Sequence, residues 1–418
     1  MTAVVAAGLF TITALLLAFP GSSLTAALRG VSIWWDVLFP ALLPFFIISE
    51  MLLGFGIVHF FGTLLDPLMR PLFRIPGIGG FAMALGFASG YPVGARLTSQ
   101  LWEQKLITRV QGERLVSFIT TSDPIFLIGA VSVGFFHDAS LAVILGIAHY
   151  GSAVLVGIGM RFYGRKEEKA APADTVLSPS AEAEAGPAAA GPIWLRAFRA
   201  MHHARIKDGR PIGMLLSQAV GNALQLNFVV GGLVVFFSVI LEVLTSAGVM
   251  GVLHAAAGTA LQLAGLPASL SQAVVSGLFE VTLGTKAAAA DAGLPLVSKA
   301  AIAAFVLSWA GLSVHAQAIS LMSRTTIRYG PFLLARFAHG LLAACTVVLL
   351  WTPLQPLRGH ASAALAAIAA EGPEQAAWMW ALPIGALLFS GAMAVLLSAA
   401  ILLAAAAFVR RNTAGPTE

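Results

Sequence analysis

Apolar runs of about 20 residues, separated by short polar connections, make up most of the chain. A run of this length crosses the hydrocarbon core of a bilayer as one α-helix, whereas membrane β-strands need shorter alternating segments, which the sequence lacks. The first run follows no basic residue and is expected to be an uncleaved span rather than a secretory signal. The pattern predicts an all-α polytopic membrane protein with eight transmembrane helices, at residues 3–19, 37–56, 115–136, 141–162, 228–248, 300–322, 332–351 and 380–409.

Two further apolar stretches, residues 77–97 and 268–290, are interrupted by glycine, proline, serine and threonine. Their pattern predicts two re-entrant helical hairpins rather than full crossings. Backbone groups freed by a break at membrane depth must bind other protein groups or line an aqueous cavity. The tips of these hairpins are therefore candidate parts of a binding site.

Only 10% of the residues are charged, compared with roughly 25% in soluble domains, so the expected solvent is the lipid bilayer. The net charge of +5 lies mostly in the connections, which indicates membrane topology and no nucleic-acid partner. The chain has one cysteine and no zinc-protease, phosphate-loop or nucleophile-elbow motif. We therefore expect no metal, no cofactor and no enzymatic activity.

Lysine and arginine residues set the expected orientation, because they concentrate on the cytoplasmic side of membrane proteins. The central segment carries nine of them: Arg161, Arg165, Lys166, Lys169, Arg196, Arg199, Arg205, Lys207 and Arg210. Arg410 and Arg411 follow the last span, so both chain termini are expected in the cytoplasm. Arg324, Arg328 and Arg336 are interpreted as cytoplasmic charges at the start of the span 332–351.

An internal repeat relates the two halves of the chain. The stretch ISEMLLGFG recurs 192 residues later as ILEVLTSAG, which pairs Glu50 with Glu242. Farther along, an offset of 190 pairs Arg96 with Lys286. The first copy ends on the cytoplasmic side and the second on the opposite side, so the two copies are predicted to be inverted. Inverted repeats with interrupted helices are typical of secondary transporters, whose sites lie near the middle of the membrane.

These patterns divide the chain into six parts. We expect an N-terminal transmembrane helix, a first repeat, a cytoplasmic linker with a basic amphipathic segment, a second repeat, an extracytoplasmic segment, and a C-terminal transmembrane helix with its tail. Their bounds are residues 1–30, 31–162, 163–210, 211–352, 353–379 and 380–418.

The candidate substrate-binding residues lie in the hairpins and in two spans that polar residues interrupt. An unwound hairpin tip and the start of the following helix present N–H groups that can bind an anion. The alternative is a glycine–proline kink packed against a neighbouring helix. The candidates are Ser89, Gly90, Tyr91, Arg96, Ser122, Thr282, Lys286 and Ser313.

Five ionisable residues at membrane depth are candidates for ion coupling or for structural pairing, because an unpaired charge there costs several kcal/mol. They are Glu50, Asp123, Glu242, Glu280 and His315. Glu280 could carry a proton or a cation, or it could neutralise Lys286, which could instead extend to the membrane surface. His149, His254 and His339 show no ligand spacing, and no role is assigned to them.

Residues 31–150 resemble the YlbJ family of sporulation integral membrane proteins, which carry paired nucleoside-recognition, or Gate, domains. The stretches LFPALLPFFIISEMLLGFGIV, LMRPLFRIPGIGG, GFASGYPVGARLT and ERLVSFITTSDPIFLIGAVSVGFF carry the resemblance, and SGLFEVTLGTKAA fits the second half of the family. The chain departs from it at Ser122-Asp123-Pro124, where the family usually has Gly-Pro. The resemblance implies a fold similar to concentrative nucleoside transporters, in the outer forespore membrane. It further implies transport of dipicolinic acid from the mother cell toward the forespore.

Dipicolinate, a flat ring with two carboxylates, suits a cavity with a cationic donor on each side of an apolar slot. Arg96 and Lys286 are the candidate ligands of the two carboxylates, and Tyr91 or Phe279 could form the slot. The alternatives are a carrier of another small organic anion or nucleoside, or a membrane scaffold that transports nothing. Assembly as a homo-oligomer is left open.

Overall fold

The structure is a computed structural model that describes residues 2–124, 126–170, 192–290 and 292–359. Every regular element within these ranges is helical, which confirms the predicted all-α class. The first half contains α1 Thr2–Ala18, α2 Pro20–Ser32, α3 Phe39–Gly54, α4 Ile57–Phe73, α5 Ile78–Ser89, α6 Tyr91–Glu103, α7 Arg109–Ile119, α8 Leu141–Met160 and α9 Arg165–Ala170. A π-helix, Ile33–Leu38, joins α2 to α3, and a second, Phe126–Phe135, follows α7.

The second half contains α10 Ile193–Asp208, α11 Ile212–Ser246, α12 Val249–Leu263, α13 Ser271–Phe279, α14 Val281–Ala290, α15 Leu296–Trp309, α16 Gly311–Met322 and α17 Tyr329–Leu350. The helices recur in the same order in both halves. α11 has 35 residues, and the run from Pro20 to Gly54 matches it in length at the offset of 192. Gly56 and Gly248, also 192 apart, precede α4 and α12 with the same φ of +75°.

Four segments in the described part of the chain are long and apolar enough to cross a membrane: Leu141–Met160, Ile212–Ser246, Leu296–Met322 and Tyr329–Leu350. Two bent pairs, Ala6–Ala18 with Pro20–Asp36 and Phe46–Gly54 with Ile57–Phe73, would raise that number to six. These helices confirm a polytopic membrane protein. The predicted span 380–409 lies outside the described residues, and the total of eight spans stays a prediction.

The predicted span 3–19 agrees with α1 to within one residue at each end. The chain then turns by 103° into α2, because Pro20 cannot continue α1 but suits the first position of α2. Two other predicted spans differ from the observed helices. The predicted span 228–248 is only the C-terminal part of α11. The predicted span 115–136 is interrupted, since α7 ends at Ile119 and the helix resumes beyond Pro124.

The first hairpin lies inside the bundle, and the second is partly buried against it. α5 packs against α6, α13 packs against α14, and α15 packs against α17, which also contacts α8. α6 and α15 are almost entirely buried, and α15 is buried along most of its length although it is apolar enough to cross a membrane. The two hairpins and the two interrupted spans therefore form the centre of the molecule.

Candidate functional site

The tip of the first hairpin lies against the break in the first interrupted span. Gly90 joins α5 to α6 with a φ of +89°, which side chains with a Cβ rarely adopt. A Cβ at this position would stand 3.1 Å from Asp123 Oδ2 and 3.5 Å from the Asp123 backbone nitrogen. Only glycine satisfies both the backbone conformation and this close approach.

The second hairpin repeats this arrangement. α13 ends at Phe279, Glu280 is extended, and α14 begins at Val281. The second interrupted span breaks at Ala310 and Gly311, both with a φ of +76°. A Cβ on Gly311 would stand 2.9 Å from the Phe279 carbonyl oxygen and 3.1 Å from Glu280 Cα. In each half, the tip of a hairpin is therefore in close contact with a helix break.

Asp123 and Glu280 each cap the helix that starts beside them. The Phe126 N–H donates to Asp123 Oδ1 at 2.8 Å, and the Leu283 N–H donates to Glu280 Oε2 at 2.8 Å. Both carboxylates therefore bind backbone groups that the breaks leave without helical partners. Asp123 and Glu280 therefore have a structural role as helix caps. Their role in ion coupling stays a prediction.

The first tip also contacts the second half of the chain. The Tyr91 hydroxyl donates to the Leu307 carbonyl oxygen at 2.8 Å. The Ser122 N–H donates to His149 Nε2 at 2.9 Å, and the Ser122 carbonyl accepts from the Tyr150 hydroxyl at 2.9 Å. Five predicted site residues are thereby brought together: Ser89, Gly90, Tyr91, Ser122 and Asp123.

Three hydroxyls at the same tip and break lack hydrogen-bond partners within the described residues. They are Ser89 Oγ, Thr121 Oγ1 and Ser122 Oγ, and all three residues are at most 1% exposed. A buried hydroxyl without a partner costs free energy, so an explanation is needed for each. A polar ligand at the tip would supply the missing acceptor or donor.

An arginine and two histidines lie beside this tip, and we call Arg336, His339, His149 and Ser308 the Arg336 cluster. All four are fully buried. Arg336 Nη1 donates to His339 Nδ1 at 2.9 Å, and Nη2 donates to the Ser308 carbonyl. His339 Nε2 donates to the His149 carbonyl at 2.7 Å, and His149 Nδ1 donates to Ser308 Oγ at 2.8 Å. These partners make both imidazoles neutral, with the proton on Nε2 of His339 and on Nδ1 of His149.

The interpretation of Arg336 as a charge at the membrane surface was wrong. Arg336 lies two turns inside α17 and faces α15, because the helix begins at Tyr329 and turns this position toward the bundle. The histidines were missed because they follow no ligand spacing. One signal was present, since His149 and His339 are separated by the repeat offset of 190 and stack with their rings 5.1 Å apart.

Arg96 lies farther along α6, in a small pocket that Phe46, Val93 and Leu226 help to line. Its Nη2 stands 3.6 Å from Glu50 Oε1. Gln100 and Asn222 also donate to the Glu50 carboxylate, at 2.6 and 3.3 Å. Glu50 therefore balances the charge of Arg96, which agrees with the structural alternative for Glu50.

The second-half counterparts are arranged differently. Glu242 stands 3.7 Å from Arg29. Lys286 is exposed and has neither a hydrogen bond nor an ion pair with a described residue, so it does not neutralise Glu280 in this conformation. Thr282 is half-buried beside Glu280, and Ser313 is buried with its Oγ 3.5 Å from Gln317 Nε2.

His315 is held on both sides of its ring. The Tyr329 hydroxyl lies 2.8 Å from Nδ1, and Nε2 donates to the Trp309 carbonyl at 3.0 Å. The ring also packs on Trp309, with centroids 4.3 Å apart. These contacts give His315 a packing role, and its predicted role in ion coupling stays a prediction.

Ion pairs join the two halves at the end of the bundle where α7 and α17 begin. Glu113 is fully buried and accepts from Arg328 at 2.8 and 3.1 Å and from the Tyr163 hydroxyl at 3.0 Å. Arg109 and Arg328 both donate to Glu167. The Glu113 hydrogen bonds raise the pKa of Arg328, and those from Arg109 and then Arg328 lower the pKa of Glu167. We call these five residues the Glu113 network.

Comparison with known proteins places these features in a family. The family model described as Gate, nucleoside recognition, matches residues 36–169, which include the first hairpin and the first break. The sporulation integral membrane protein YlbJ of Bacillus subtilis (strain 168) is 44% identical over 354 residues, covering 84% of this chain and 83% of that protein. No solved structure matches the chain. The similarity extends over most of both proteins, and the chain belongs to the YlbJ family of sporulation integral membrane proteins.

Proposed function

We propose that the protein is a secondary-type transporter that moves dipicolinic acid from the mother cell toward the forespore during sporulation. The observation that carries this proposal is the pairing of each hairpin tip with a helix break at the centre of the bundle. A packed scaffold has little need for four interruptions in its central helices. Carriers need them, because unwound backbone at membrane depth binds the substrate.

The proposed mechanism is alternating access between two inverted halves. Two features support it: the helices recur in the same order, and the basic residues cluster between the halves. The first hairpin would enter the membrane from the cytoplasmic side and the second from the opposite side. Rocking of the halves would expose the central tips to each side in turn, in an architecture similar to concentrative nucleoside transporters.

The proposed substrate site is formed by Ser89, Gly90, Tyr91 and Ser122, with Thr282 and Ser313 on the other half. Arg96 and Lys286 would approach the substrate only in another conformation, since Arg96 pairs with Glu50 and Lys286 is exposed here. Release of Arg96 from Glu50 would then accompany substrate binding. Glu50, Glu242, Asp123, Glu280 and His315 are the candidates for ion coupling.

We place this activity in the outer forespore membrane, with both termini in the cytoplasm. The name of the relative supports a role in sporulation. A second candidate substrate is a nucleoside, which the description of the matching family model favours. In either case the protein would act without a cofactor and without enzymatic chemistry.

Uptake of radiolabelled dipicolinate into liposomes that contain the purified protein tests the proposal. We expect saturable uptake that unlabelled dipicolinate inhibits and that a nucleoside does not. Inhibition by the nucleoside alone would favour the second candidate. Uptake no greater than in protein-free liposomes, with or without a proton or sodium gradient, would contradict transport.

Lys286→Gln tests the role of this charge in the same assay, because Lys286 has no described partner that the substitution would disturb. We expect uptake to fall by about tenfold or more, the size of one lost charge-assisted hydrogen bond. Arg324→Gln is the matched control, since Arg324 is also exposed without a described partner. Equal uptake by both variants would remove Lys286 from the site.

A further inference from the structure

We propose that Arg336 is the residue that binds a carboxylate of the transported anion, at the point where the first hairpin tip meets the helix breaks. This inference rests on the proposed transport of an organic anion and identifies the group that would recognise it. Arg336 was not among the candidate site residues. The ligand chemistry is that of a small organic acid with at least one ionised carboxylate.

Arg336 carries a buried positive charge without a counter-charge in the described part of the chain. The residue is fully buried, yet no aspartate or glutamate in the described ranges lies within ion-pair distance of its guanidinium. Two acceptors, His339 Nδ1 and the Ser308 carbonyl, serve a group with five N–H donors. Its Nε has no acceptor among the described residues. A buried guanidinium in this condition lacks both a counter-charge and part of its hydrogen bonding.

Arg114 shows that burial alone does not leave a guanidinium without hydrogen-bond acceptors. Arg114 is also fully buried, but its Nε, Nη1 and Nη2 all donate to carbonyls, those of Arg74 and Tyr163. Arg74 follows the end of α4 and Tyr163 follows the end of α8, where the helix dipole favours a cation. Arg114 thus has a complete structural explanation, and Arg336 does not.

Arg336 also lies beside the first hairpin tip. The Tyr91 hydroxyl donates to the carbonyl of Leu307, the neighbour of the Arg336 acceptor Ser308. His149 connects the Arg336 cluster to the backbone of Ser122 in the first break. The guanidinium therefore lies beside the tip and break that also hold the unpartnered hydroxyls of Ser89 and Thr121.

The two histidines orient the guanidinium without supplying negative charge. His339 accepts from Nη1 and is itself held by the His149 carbonyl, so the Nε edge of the guanidinium stays available. A carboxylate can engage such an edge with two parallel hydrogen bonds. Tyr91 is 8% exposed and the Arg336 cluster is fully buried, so the site is closed in this conformation and opens when the hairpin tip moves.

Binding of two matched ligands to the purified full chain tests the inference. Dipicolinate and its neutral diamide have the same ring, but only dipicolinate carries carboxylates. We expect wild type to bind dipicolinate at least about tenfold more tightly than the diamide, and Arg336→Gln to reduce that ratio at least about tenfold. Arg114→Gln is the control for loss of a buried guanidinium, and it should lower thermal stability without changing the ratio.

An unchanged affinity ratio in folded Arg336→Gln would overturn the inference and leave Arg336 as a structural tie between α17 and α15. If that variant fails to fold, Arg336→Lys provides the test, because it keeps the charge but loses the planar pair of donors. We expect a smaller ratio than in wild type, and an equal ratio would again overturn the inference. Absence of dipicolinate binding by wild type would instead contradict the proposed function itself.

Discussion

Glu113 is a single buried charge that hydrogen bonds and ion pairs stabilise. Its carboxylate is fully buried but receives hydrogen bonds from Arg328, in the other half of the chain, and from Tyr163. Such charge-assisted bonds are about twice as strong as neutral ones. Glu113 therefore holds the two halves together at one end of the bundle.

Substitution of Arg328 by alanine is expected to destabilise the protein by about 2 kcal/mol, because Glu113 loses its main counter-charge. The measurement is thermal or denaturant unfolding in detergent. Arg324→Ala is the matched control: Arg324 is exposed without a described partner, and its loss should cost less than about 0.5 kcal/mol. Equal effects of the two substitutions would contradict the importance of the network.

Glu167 gives the Glu113 network a pH dependence. Hydrogen bonds from Arg109 and Arg328 hold its pKa below the ordinary 4.5, so the ionised form stabilises the folded state. A lowered folded-state pKa gives stability that is present above the unfolded pKa and lost as pH falls through the folded one. We expect the difference in Tm between wild type and Glu167→Gln to be constant near neutral pH and to shrink below pH 4.5. A difference that persists undiminished at lower pH would show that the charge of Glu167 contributes nothing.

At single positions, the sequence indicated that Tyr91, Ser122 and Asp123 lie at breaks, because glycine, proline and polar residues interrupt an apolar run. The structure places them together, and their role in binding stays a prediction. Arg336 could not be identified in this way, because an arginine near the start of a span looks the same whether it faces the lipid surface or the bundle interior. The rotation of α17 about its axis decides between the two, and distant packing against α15 sets that rotation.

At the scale of elements, each hairpin tip fits against its helix break through a residue without a side chain. Gly90 approaches Asp123 in the first half, and Gly311 approaches Phe279 and Glu280 in the second. At Gly311 the nearest atoms belong to the backbone, which cannot move aside as a flexible side chain can. At Gly90 the nearest atom is Asp123 Oδ2, and the positive φ adds a conformational cost for any residue with a Cβ. These two positions should therefore be intolerant of even a methyl group.

Gly311→Ala is expected to lower stability by about 1–3 kcal/mol more than Gly248→Ala. Both glycines have almost the same positive φ, +76° and +75°, so both substitutions share the cost of a left-handed backbone. Only Gly311 also has backbone atoms within 3.1 Å of the new Cβ, whereas Gly248 has none within 4 Å. Unfolding of both variants in detergent measures the difference, and equal losses would mean that the tip can move away from the break.

Sequence reasoning located the uninterrupted helices best. α8 and α17 end within three residues of the predicted spans, because one apolar run determines each. The helix break at Ala310 was harder to predict, because no proline lies beside it and the break depends on the approach of the second hairpin. The early start of α11 was missed because polar residues such as Asn222 interrupt its apolar run; in the structure Asn222 donates to Glu50 of α3.

At the scale of the whole molecule, ion pairs join the two halves at both ends of the bundle. The Glu113 network lies at one end, and Arg358 stands 3.7 Å from Asp138 at the other. Carriers open to one side at a time. The proposed mechanism therefore requires each of these contacts to separate while the other stays closed.

The proposed inversion of the halves predicts opposite accessibility of equivalent positions. Gln104 precedes α7 and Ala292 precedes α15, and both are exposed. In a Cys345→Ser background, an impermeant thiol reagent should label Ala292→Cys in right-side-out vesicles. It should label Gln104→Cys only after the vesicles are opened. Labelling of both positions from the same side would exclude inverted halves.

Counterflow is the decisive measurement of alternating access, because it requires a carrier and no knowledge of the coupling ion. Liposomes with the purified protein are loaded with unlabelled dipicolinate and diluted into a trace of the labelled compound. We expect a transient accumulation of label above its equilibrium level, as outward substrate exchanges for inward label. Label that never exceeds its level in liposomes without protein would contradict transport of dipicolinate by alternating access.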